Sequence, residues 1–171
     1  MARVLLQNTL RFILLVLAQV FLFKNVAYYN LAAPFPYIMF ILLLPVRIPN
    51  GLLFVLAVLC GLTVDTFYDT LGIHTGACAF LAFMRILFFN ITLQQEDHEA
   101  MATPGINEMS FRWFFIYVST LTLLHHIVLF LLEIFSFNNF IYTLTSIFFS
   151  CIFTVILILM FEFVFYKQKK R

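Results

Sequence analysis

Apolar residues run through this chain in long blocks, interrupted by short polar clusters. Residues 12–23 and 147–161 are apolar at nearly every position, which is not the alternation of a membrane β-barrel strand and points to helices. Reading each block to its flanking prolines, glycines and charges gives six spans, at about 10–28, 31–48, 51–68, 72–93, 111–135 and 140–166. Each approaches the roughly 20 residues that a helix needs to cross a bilayer. The second span is the weakest. Pro34, Pro36, Pro45 and Pro49 bound a short central run, so a kinked or tilted helix is expected there. Only a few residues separate the third and fourth spans, which makes them an antiparallel hairpin. Residues 94–110 carry Glu96, Asp97, Glu99, Glu108 and Pro104-Gly105 and read as an acidic loop; the chain ends on Lys167, Lys169, Lys170 and Arg171. The expected fold is an all-α integral membrane protein, a six-transmembrane-helix bundle forming a single polytopic domain over residues 1–171.

Composition narrows this further. The 171 residues are 64% hydrophobic and 11% charged, with a mean hydropathy of +1.04, against about 25% charged in soluble domains. Six spans leave no length for a soluble domain. Arg3 and Arg11 ahead of an apolar run resemble the start of a signal peptide, but no small-x-small cleavage site follows, so the first helix is expected to be retained. A net charge of +2 argues against nucleic acid as a partner, and its placement says more. With six spans and the N-terminus inside, Arg3, Arg11, Arg47, Arg112 and the C-terminal cluster share the cytoplasmic side, leaving Lys24 near the outer surface. A five-span count would separate the two basic termini. Both are therefore expected in the cytoplasm, and the basic tail suits either a protein partner or anionic lipid.

Ionisable groups at membrane depth cost about 2.5–3.5 kcal/mol each on insertion scales, so each calls for a partner or a purpose. Ala57, Gly61 and Asp65 recur at i, i+4, i+8 and share one face of the third helix. Across the turn, Gly72 and Gly76 make a GxxxG pattern that Ala79 and Ala82 extend, so two small-residue faces can meet closely. Asp65 on such a stripe marks either a partner site or a helix cap, and Asp69 could cap or be solvated in the same way. Arg85 lies about 18 Å deeper than Ile73, out of reach of Asp65. Measured from the other ends, it is about 12 Å in from Leu93, while Glu162 is about 7 Å in from Lys167. Arg85 and Glu162 are accordingly predicted to form an internal ion pair, the alternative being that both snorkel to the headgroups. Lys24 and Glu133 could pair at the outer surface or be solvated.

His125 and His126 are adjacent and point about 100° apart, so they do not share a metal, and one is expected to bond a neighbouring helix. Cys60, Cys78 and Cys151 form no CxxC and sit in apolar runs as packing residues. No phosphate loop, G-x-S-x-G, HExxH or readable nucleophile–base pair is present. The expectation is no catalytic residue, no metal and no cofactor. Nor do the spans form two matching halves with broken helices, the pattern of many secondary transporters.

Gly61-Leu62-Thr63-Val64-Asp65 closing one helix, followed by Leu71-Gly72-Ile73-His74 opening the next, resembles the bacterial rod shape-determining MreD family. Length, span count and basic termini agree with it over the whole chain, while Asp69-Thr70 stands where members often carry a glycine and a small residue. The resemblance implies a non-enzymatic scaffold of the cell-elongation machinery in the bacterial cytoplasmic membrane. Such a scaffold binds MreC and through it couples MreB to peptidoglycan synthesis by RodA and a class B penicillin-binding protein. Ala57, Gly61, Asp65, Gly72, His74 and Gly76 would then be the partner or packing motif, with Asp65 serving partner association more than bundle stability. The family's architecture is also similar to the six-helix substrate-binding subunits of energy-coupling-factor vitamin transporters. A vitamin-binding subunit is therefore the alternative, with a polar pocket expected near Asp65, Asp69, His74 and Asn138.

Overall fold

A computed structural model describes residues 2–24, 32–93, 103–133 and 140–164. Glu96, Asp97, Glu99, Asn138 and the C-terminal basic cluster lie outside the described residues, as does the Arg3 side chain. Helix α1, Ala2–Ala18, continues through a π-helical turn, Gln19–Phe23. A 3₁₀ turn, Pro36–Ile38, leads into a single helical turn α2, Met39–Leu42. Four long helices follow: α3 Asn50–Tyr68, α4 Ile73–Thr92, α5 Phe111–Glu133 and α6 Phe140–Val164. Among the described residues, five helices are long and apolar enough to cross a membrane, α1 with its π turn and α3 to α6. The chain is a multi-pass all-α membrane protein.

Helix α3 packs on α4, α4 on α5 and α5 on α6, each pair antiparallel. The turn between α3 and α4 needs two left-handed residues, Asp69 at φ 56° and Gly72 at φ 81°. Only glycine takes the second without strain. Gln19 Nε2 donates to Tyr68 Oη at 2.7 Å, which places the end of α1 beside the end of α3. The opposite end gathers the start of α1 and the end of α6: Gln7, Arg11, Phe161 and Val164 line one groove.

The segment predicted as a second transmembrane helix is where the structure departs from expectation. Among the described residues 32–48 the only helical elements are the 3₁₀ turn and α2, yet residues 34–44 are buried throughout and form the centre of the core. The segment runs antiparallel to α1, with Pro34 beside Gln19 and Leu43 beside Arg11. Prolines explain the missing helix, because Pro34, Pro36 and Pro45 each remove a backbone donor. The same loss lightens the cost of burial. Between residues 33 and 36 only Ala33 and Phe35 carry an N–H, and these donate to Ser150 Oγ and Thr154 Oγ1, each at 2.9 Å. The carbonyls are met as well: Leu42 O accepts from Tyr117 Oη at 2.7 Å, Leu43 O from Arg11 at 3.1 Å and Leu44 O from Arg85 at 2.5 Å. Irregular backbone is tolerated at membrane depth only when protein encloses and satisfies it, as here.

Candidate functional site

The small-residue face of α3 lies against the start of α4. Ala57, Cys60, Gly61, Val64 and Asp65 are all buried. A Cβ built on Gly61 would stand 2.4 Å from Thr75 Cα and 2.8 Å from the His74 carbonyl oxygen, so the two backbones touch there and no larger residue fits. Gly76 faces the next interface, where an added Cβ would meet Leu132 of α5 at 3.1 Å.

One turn beyond Gly61, Asp65 crosses to α4 and binds its first turn. Oδ1 accepts from His74 N at 3.0 Å and Thr70 Oγ1 at 2.5 Å, and His74 Nδ1 stands 3.0 Å away. Oδ2 accepts from Thr75 N at 2.9 Å and Thr75 Oγ1 at 2.6 Å. Helix α4 begins after Gly72, which has no side chain to cap it. Its free N–H groups are satisfied by a carboxylate from the preceding helix, at the positive end of the α4 dipole. A carboxylate offers about four lone-pair positions, and five donors converge on this one. Of the two roles expected for Asp65, the helix cap is the one the geometry displays, with both carboxylate oxygens engaged within the hairpin. Asp69 takes the left-handed C-cap position of α3.

Inward of this cap lies a buried polar centre. The His74 ring is flanked by Phe35, Tyr37 and Tyr68, at centroid distances of 6.0, 5.9 and 5.0 Å. Tyr37 Oη is 3.1 Å from His125 Nε2 and accepts a weak bond from Cys78 Sγ at 3.9 Å. His126 turns away from His125, with Nδ1 2.8 Å from Thr122 O and Nε2 3.2 Å from Thr154 Oγ1 of α6. Thr143, Ser146, Ser150 and Thr154 make a buried polar stripe along α6 that sequence reasoning missed. Spacing at i, i+3, i+7 and i+11 in an otherwise apolar block was the signal that could have found it.

Arg85 and Glu162 do not pair. Arg85 Nε donates to Tyr117 Oη at 3.2 Å and Nη2 to the Leu44 and Pro45 carbonyls, while the Glu162 carboxylate accepts from Ile106 N at 3.2 Å. Arg11 is the arginine whose field reaches Glu162. Counting residues from helix ends gives depth but not direction around the bundle, and α5 stands between α4 and α6. Lys24 likewise turns from Glu133 to donate to the Phe67 carbonyl and cover the Tyr68 ring. The chain matches no family model, and no curated protein or solved structure matches it.

Proposed function

We propose that this chain is a non-enzymatic membrane scaffold of the MreD type. It would bind an MreC-type partner and through it link MreB to peptidoglycan synthesis by RodA and a class B penicillin-binding protein, so maintaining cell shape. On this reading it sits in the bacterial cytoplasmic membrane and crosses six times, segment 32–48 being the second crossing, with both termini cytoplasmic. The observation that carries the reading is the hairpin of α3 and α4. The residues behind the resemblance, Gly61, Asp65, Gly72 and His74, act together as one rigid lock, while Leu71 at its tip is fully exposed. A lock that holds an apolar residue outward suits a protein-binding surface. The alternative, a vitamin-binding subunit, would want Asp65 and His74 aimed into a pocket. Both Asp65 oxygens and the N and Nδ1 of His74 are instead engaged within the hairpin.

Co-purification in mild detergent, with identification of the bound proteins, tests the reading. The expected result is an MreC-type protein that is retained by the unmodified chain and weakened by Leu71→Ser without loss of folding. Recovery of an ATPase pair in its place would overturn the scaffold in favour of transport.

A further inference from the structure

At the end of the bundle opposite the Asp65 hairpin, a cavity of about 230 Å³ opens between Val46, Ile48, Asn50, Arg85, Phe89 and Asn90. We propose that it binds a phosphate-class anion. Arg85 is 1% exposed and lies over the Phe89 ring at 4.6 Å. Its hydrogen bonds to described residues come from Nε and Nη2, to Tyr117 Oη and the Leu44 and Pro45 carbonyls. The two N–H groups of Nη1 have no partner among the described residues, and no described carboxylate lies within ion-pair distance of Arg85. A buried guanidinium at membrane depth without a counter-charge is costly. The carbonyls it meets supply partial charge only.

A second, independent attraction points into the same space. The 19-residue helix α3 starts at Asn50 behind Pro49 with no side-chain cap, so its first N–H groups and the positive end of its dipole are available at the cavity wall that Asn50 forms. Asn90, which also lines the cavity, carries an amide donor. Planar guanidinium donors, helix N–H groups and neutral amides together make a set suited to tetrahedral oxyanions. A water molecule's share of liquid volume is about 30 Å³, so the cavity admits such a group with its first waters. Arg85 lies seven residues before Thr92, the last residue of α4, about 10 Å of helix, and Asn90 closer still. The mouth is therefore at headgroup level. The ligand chemistry is a phosphate, carried either on an anionic lipid or as a free ion.

The purified full chain in mild detergent tests this, read by thermal unfolding and native mass spectrometry. Micelles doped with phosphatidylglycerol are compared with phosphatidylcholine, and sodium phosphate with sodium chloride at matched ionic strength. The unmodified chain should be stabilised by phosphatidylglycerol over phosphatidylcholine if the source is lipid, and also by inorganic phosphate over chloride if the free ion suffices. Asn50→Asp keeps the helix start favourable but sets a negative charge at the cavity wall, so it should fold normally and bind roughly tenfold more weakly. Arg85→Gln should abolish binding, but it also removes support from segment 32–48, so Asn50→Asp decides. Binding of neither probe above its control, or equal binding by Asn50→Asp and the unmodified chain, would overturn the site.

Discussion

At one end of the bundle Asp65 collects donors from the start of α4; at the other Arg85 gives donors to the carbonyls where segment 32–48 ends. Both answer the same difficulty, backbone groups left unpaired at membrane depth, with charges of opposite sign matched to opposite backbone polarity. They differ in saturation. Five donors fill the Asp65 carboxylate, whereas Arg85 keeps one nitrogen of its guanidinium facing a cavity. A filled charge is an internal fastening, and an unfilled one still has capacity to bind.

Four measurements would break or sharpen that contrast, each by unfolding of the detergent-solubilised protein. The largest effect is expected for Gly61→Ala, whose new Cβ meets Thr75 backbone at 2.4 Å. It should cost at least about 3 kcal/mol and part the hairpin, since backbone cannot swing aside as a side chain can. A loss under 1 kcal/mol would show that the backbones are not in contact. Next comes Asp65→Asn, which sets an amide N–H₂ against the donors of Thr75 or His74 and should cost about 2–4 kcal/mol. Arg85→Lys keeps a charge and some donors and should cost less; the reverse order would end the idea that Asp65 is the saturated member. The smallest effect is expected from a cycle of Arg85→Ala and Glu162→Ala. Because α5 separates them, the two losses should add within about 0.5 kcal/mol, and a larger coupling energy would restore the ion pair.

The hairpin was legible because its signal is periodic and local. Ala57, Gly61 and Asp65 fall four residues apart, and the cap that Asp65 provides lies nine and ten residues ahead, at His74 and Thr75. Segment 32–48 was only half legible. Its prolines marked a weak helix, but hydropathy counts apolar residues and not the partners of backbone groups, which here come from Arg11, Arg85, Tyr117, Ser150 and Thr154. The misassigned Arg85 and the unnoticed stripe on α6 share one cause. Both act on a segment whose irregular backbone is visible only once the chain has folded.

The bonds from Ala33 to Ser150 and from Phe35 to Thr154 join residues 117 and 119 positions apart. At about 5–20 residues per second of synthesis, the interval between making the donors and making their acceptors is on the order of ten seconds. The N–H groups of Ala33 and Phe35 therefore emerge from the ribosome long before their acceptors on α6 exist, and lipid offers no substitute. The burial of Ala33 and Phe35 seen in the folded chain is complete only once α6 is in place. In that sense α6 is the keystone for a piece of chain made near the beginning.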